Sequence, residues 1–212
     1  MDHPEGGVLI RKVGTFAAVL VAASSMAMGT ATASTAPASG AITCGASGSA
    51  VIKPGIPTAS AAPATKKLKL QAKNATISAC NSTGVTGGKE AITGGVATLK
   101  GTIPPGATCS TLLSAPPSLT SPALTVKFTG ADGKAVAKLT LKSLTLAQSG
   151  LGFSITGVVP VNPKKPFSGE TVTVQANVDN TTDALNCITG VTGADLTHID
   201  FSAAGGSTIS IA

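Results

Sequence analysis

Residues 124–141 read LTVKFTGADGKAVAKLTL, and this stretch decides the fold. Leu124, Val126 and Phe128 alternate with Thr125, Lys127 and Thr129, the period of two that a strand with one buried face requires. Gly130-Ala131-Asp132-Gly133 follows, and an Asp-Gly step takes up the positive φ of a tight turn at little steric cost. The pattern predicts a β-hairpin whose return strand runs from Val136 to Leu146, with a change of phase between Leu141 and Leu144.

The same alternation recurs outward in both directions. Ile42 to Ile52 is a candidate first strand, and the Pro/Ala-rich residues 53–65 read as a connection that ends it. From Lys67, the apolar set Leu68, Leu70 and Ala72 faces away from Lys67, Lys69, Gln71 and Lys73, but Ala75, Ile77 and Ala79 fall in the opposite phase. If one face stays buried, a bulge or break must lie between Lys73 and Ala75. Val96–Ile103, Phe153–Val161, Thr171–Val178, Ile199–Phe201 and Ser207–Ile211 are further short strands. Between 104 and 122 lies a long loop rich in proline that carries Cys109. Apolar residues at helical spacing over three turns occur nowhere. The expected fold is all-β: a single antiparallel β-sandwich of roughly 8–10 short strands, immunoglobulin-like or jelly-roll-like, over residues 42–212. Thr83–Gly87 after Cys80 echoes Thr189–Gly193 after Cys187, which we read as chance or shared turn chemistry rather than duplication.

Ahead of this domain, Arg11 and Lys12 precede the apolar run 13–23, and Ala31-Thr32-Ala33 offers small side chains for cleavage before Ser34. A transmembrane helix needs about 20 apolar residues, and Ser24 and Ser25 interrupt this run too early. Residues 1–33 therefore read as a signal peptide, and 34–41 (STAPASGA) as a flexible leader of small residues. The expectation is an extracellular, secreted chain with a cell-wall association, and without stable membrane insertion of its mature part.

The net charge is +6, unchanged by cleavage because Asp2 and Glu5 cancel Arg11 and Lys12. Every cation beyond residue 33 is lysine, so the planar fork that recognises phosphate and base edges is missing, which argues against nucleic acid. Lys67, Lys69 and Lys73, with Lys127, Lys138 and Lys142 on the hairpin and just beyond, form a candidate basic face. Its functional reading is weak attraction to an anionic cell-envelope polymer, and its plain reading a solubilising surface. The absence of Trp and Tyr removes the usual sugar-stacking platforms and interface anchors.

The four cysteines, Cys44, Cys80, Cys109 and Cys187, all lie beyond the expected signal. An even number in an exported chain argues for disulfides, and no C-x-x-C or histidine at ligand spacing suggests a metal. Three connectivities are open. The preferred one joins Cys44 to Cys80, at the ends of the first two strands, and Cys109 to Cys187, which ties down the proline-rich loop.

The order of signal, small-residue leader, early Cys44, Cys80 after an alternating strand, Cys109 within Ala107-Thr108-Cys109-Ser110-Thr111-Leu112-Leu113, and late Cys187 resembles secreted four-cysteine β-sandwich proteins of actinobacteria. The resemblance covers most of the mature chain. It implies fold and location, and no mechanism, because members of that group are largely without assigned function.

Catalytic chemistry is thinly represented. His198 lies between Asp195 and Asp200, but no G-x-S-x-G places a nucleophile beside it. Asp179, Asn180, Asp183 and Asn186 form the densest set of oxygen ligands, without the glycine and terminal glutamate of a calcium loop, and read as a turn. No cofactor or metal is implied. The expectation is a non-enzymatic structural or binding protein, monomeric or weakly associating. A secreted hydrolase using His198 is the alternative, and an envelope oligomer or pore a further one.

Overall fold

The computed structural model describes residues 36–88, 90–114, 118–149, 151–190 and 193–212. The expected signal, 1–33, lies outside these residues. The described chain forms ten strands: β1 (Ile42–Ile56), β2 (Leu68–Asn81), β3 (Gly94–Ile103), β4 (Thr120–Thr129), β5 (Ala135–Leu141), β6 (Thr145–Ser149), β7 (Gly152–Val158), β8 (Thr171–Ala176), β9 (Leu196–Phe201) and β10 (Thr208–Ile211). Two short helices interrupt them, α1 (Cys109–Ser114) and α2 (Thr181–Thr189).

The hairpin at 124–141 forms in the register its pattern implies, with Phe128 opposite Ala137 and Leu124 opposite Leu141. Gly133, at φ 76°, closes the turn by donating its N–H to the Gly130 carbonyl, and the Asp132 carboxylate accepts the Lys134 N–H at 2.8 Å. In β2, the ladder to β3 shifts register between Ala72 and Ala75, where Asn74 takes φ 52°. This bulge restores the phase, so Ala72, Ala75 and Ile77 all face inward and are buried.

All ladders are antiparallel and belong to one open sheet, ordered β5-β4-β3-β2-β1-β10-β8-β7-β6, with β9 also paired to β1. β1 is the pivot. Along one side it pairs with β2; along the other it pairs first with β10 through Ile42–Gly45 and then with β9 through Gly48–Ile56. It outruns the expected end at Ile52, passing through Pro54. The proline has no N–H to donate, and it falls in the gap between the Val51 and Ile56 pairings with β9, where the ladder asks for none.

The return strand of the hairpin is shorter than its leucine pattern suggests. β5 stops at Leu141, and after residues 142–144 the chain starts β6, at the opposite edge of the sheet. Four Cα–Cα steps span at most about 15 Å. The two edges must therefore approach, and they do: a Cβ on Gly157 of β7 would lie 2.9 Å from Leu141 Cδ2 of β5 and 2.7 Å from Leu144 Cδ2. The apparent phase change at Leu144 is this crossing. Inward residues from both ends of the sheet, such as Leu139, Leu141, Ile155 and Val172, join one common core, where the rings of Phe128 and Phe167 meet at 6.1 Å.

The part of the small-residue leader that is described, 36–41, is held by its backbone rather than hanging free. Ser39 exchanges two hydrogen bonds with Thr86, Gly88 donates to the Ala36 carbonyl, Phe167 donates to that of Ala38, and Gly40 donates to Glu170 Oε1 at 2.7 Å. Composition reads side chains and misses bonds of this kind. The two echoing segments take different structures: the first is an Asn81-anchored turn, whereas in the second Thr189 ends α2 and Gly190, at φ 70°, caps it.

Candidate functional site

The two preferred disulfides are both present. Cys44–Cys80 joins β1 to β2 across 36 residues, with a Cα separation of 4.0 Å, beside the bulge that Ala79 makes at φ 49°. Cys109–Cys187 spans 78 residues with a Cα separation of 5.7 Å and joins α1 to α2. Both of its cysteines are buried. The proline-rich loop is thus anchored as expected, but helix to helix. Each helix is too short for three turns of apolar periodicity, the signal by which sequence reading finds helices.

The register of the first half of the sheet gathers the lysines. Lys69 stands opposite Lys53 on β1 and Thr102 on β3, Lys100 opposite Gln71, and Lys127 directly opposite Lys138. Lys73 shares the outward parity of Lys69, Lys67 immediately precedes β2, and Lys142 immediately follows β5. All six candidate lysines are exposed. Lys53 and Lys100 join the same outer face. The parity of the Val96–Ile103 strand would have added Lys100, whereas Lys53 lay hidden past the expected end of the first strand. Strands β1–β5 contain no aspartate or glutamate; the neighbouring acids are Asp132 in the β4–β5 turn, paired with Lys134, and Asp200 of β9, opposite Ser49 of β1.

Acids collect instead around α2 and β9, which flanks β1 on the side away from β2. His198 Nε2 lies 3.8 Å from Asp183 Oδ2 and 3.6 Å from Asp200 Oδ2, and its Nδ1 lies 3.3 Å from the hydroxyl of the adjacent Thr197. Histidine and both carboxylates are about half exposed. Asp195, with Asp183, Asn186 and His198, borders a shallow cleft of about 210 Å³. Of the polar set read as a turn, Asp183 and Asn186 lie in α2, while Asp179 sits in a bend before it; Asn180 sits at the N-cap of α2 and ties it to β9, accepting the Asp200 N–H at 2.9 Å and donating to the His198 carbonyl at 3.3 Å. The imidazole stands half exposed between two half-exposed carboxylates at one nitrogen and the hydroxyl of its own chain neighbour at the other, whereas a triad holds a shielded ring against one buried carboxylate.

Sequence reading missed the interior. Between the two halves of the sheet lies a cavity of about 90 Å³ lined wholly by apolar side chains. On β1–β3 it is lined by alanines, Ala46 and Ala50 on β1, Ala72 and Ala75 on β2 and Ala97 on β3, set among leucines and isoleucines of the same strands such as Ile52, Ile77 and Leu99. Leucine, valine and isoleucine, as at Leu124, Val174 and Ile209, form most of the rest. Rows across the sheet show the gradient, Ala75–Ala97–Val126–Leu139 and Ala50–Ala72–Leu99–Leu124–Leu141. A void of this size costs about 2 kcal/mol if left empty. The signal was in the chain, as alanine at inward strand positions where a large side chain would close the core. A second apolar cavity of about 30 Å³ lies under the Cys109–Cys187 staple and shares Leu112, Phe153 and Ile199 with the first.

No helix among the described residues is long and apolar enough to cross a membrane. No protein-family model, curated protein or solved structure matches the chain.

Proposed function

We propose that this is an exported, non-enzymatic protein of the cell envelope or its surroundings that binds anionic polymer through the outer face of β1–β5. The observation that carries the reading is the direct opposition of Lys127 and Lys138 on two strands that contain no acid. Like charges placed opposite each other weaken a ladder, so a sheet selected for stability alone has no use for the pair, while a polyanion gains from both charges. The two disulfides fit an oxidising compartment, and the cysteine order resembles that of secreted actinobacterial proteins. The acids of α2 and β9 make the charge lopsided and favour one orientation on the polymer.

The test is retention of the oxidised mature chain on immobilised poly-L-glutamate at rising sodium chloride. Binding should fall steeply as the Debye length shrinks from about 10 Å at 0.1 M to about 3 Å at 1 M. Salt-insensitive retention, or none, overturns the proposal. The alternative of a hydrolase would draw on His198 between Asp183 and Asp200; an esterase or peptidase activity that survives His198→Ala would remove it.

A further inference from the structure

We propose that the apolar interior is a binding site for one unbranched hydrocarbon chain, such as the acyl tail of a lipid or fatty acid. Shape selects the ligand. The lining follows β1 from Ala46 to Ile56, which at about 3.3 Å per residue is a path of roughly 30 Å. A cavity of only about 90 Å³ bordered by residues spread over that length suits a slender molecule better than a bulky ring system. Small polar molecules find no hydrogen-bonding side chain in the lining.

Composition points the same way. Six alanines, five on β1–β3 and Ala176 on β8, leave room between bulkier lining residues such as Leu99, Leu124 and Phe153. In a close-packed core such positions are filled. The way in is marked by lining residues that reach the interior yet keep contact with solvent: Leu70, Leu146, Phe153 and Val174. Phe153 also borders the smaller cavity under the disulfide, so rotation of its ring lengthens the channel toward α1 and α2.

The experiment titrates the oxidised, delipidated chain with cis-parinaric acid, an unbranched fluorescent fatty acid, and displaces the probe with palmitate and separately with cholesterol. Saturable one-to-one binding, displaced by palmitate and not by cholesterol, is expected. Ala97→Leu and Ala176→Leu fill the cavity from different strands and should each weaken binding at least tenfold. Amide shifts induced in the wild-type chain by the probe should centre on Ala75, Ala97, Phe153 and Ala176, which locates the site even if a filled variant does not fold. Absence of saturable binding overturns the proposal, as do displacement by cholesterol as readily as by palmitate, full binding by a folded filled variant, or shifts confined to the lysine face.

Discussion

Lys127 and Lys138 stand directly opposite each other in the β4–β5 ladder, two exposed cationic residues on strands without a carboxylate. Reversing one charge separates stability from binding. Lys138→Glu replaces a repulsive cross-strand pair by an attractive one, which stabilises the sheet by about 0.2–1 kcal/mol. It also removes a positive charge from the proposed polymer face. The urea midpoint should rise while retention on poly-L-glutamate falls. A variant that binds as the parent does would show that this face is only a solubilising surface.

The turn of the same hairpin responds to acid. The Lys134 ammonium lies 2.9 Å from Asp132 Oδ2, and the Lys134 N–H bonds Oδ1, so together they hold this carboxyl below its ordinary value of 3.8. A depressed carboxyl supports the folded turn at pH above its unfolded value, and that support disappears as pH falls through the lower folded value. The Asp132 carboxyl carbon, followed by NMR, should titrate below 3.8 in the parent and move up toward it in Lys134→Ala. An unchanged midpoint in the variant would deny the ammonium its part.

Apposition of the two sheet edges rests on a glycine. A side chain at Gly157 meets Leu144 Cδ2 at 2.7 Å and both Leu141 Cδ2 and the Ser143 carbonyl at 2.9 Å. Gly157→Val therefore has to push β7 away from the end of β5, an overpacking that costs about 1–3 kcal/mol. Chemical denaturation should show a loss in that range. A neutral result would mean that the edges part easily and that the crossing at 142–144 is looser than its contacts indicate.

These features differ in how openly the chain displays them, and the reason is range. The hairpin at 124–141 and the bulge at Asn74 were legible because alternation and turn chemistry act between near neighbours. Cysteine positions narrowed the pairing, since strand ends and a loop in need of an anchor suggested partners. The jump from Leu141 to Thr145 was not legible. Leu139, Leu141, Leu144 and Leu146 look like one strand with a slip, and only the partner strands, far away in sequence, separate them. The lysine face was half visible, because parity shows which side a residue takes but not which strands lie side by side. The cavity escaped notice because alanine counts as neither large enough to mark a core nor polar enough to mark a surface. Its meaning at positions 46, 50, 72, 75 and 97 appears only when the strands are laid next to each other.

The staple between α1 and α2 is the last device to test, and it separates global from local stability. The loop-entropy estimate assigns the 78-residue Cys109–Cys187 loop up to about 4.5 kcal/mol and the 36-residue Cys44–Cys80 loop up to about 3.8 kcal/mol. On that count alone the two losses would be hard to tell apart. Their surroundings differ, however. Cys44–Cys80 links neighbouring strands that their ladder already holds, whereas α2 has nine residues, too few to persist alone in water, and buries only Ala184 and Cys187. In the Cys109→Ala/Cys187→Ala double variant, the amides of α2 should exchange far faster than those of β2 and β3, and the small cavity bordered by Leu112, Ala184 and Ile188 should lose its wall. In Cys44→Ala/Cys80→Ala, protection should fall across the whole sheet together. If α2 stays as protected without its disulfide as with it, then Asn180, through its bonds to His198 and Asp200, is the true anchor of the helix, and Asn180→Ala should release it instead.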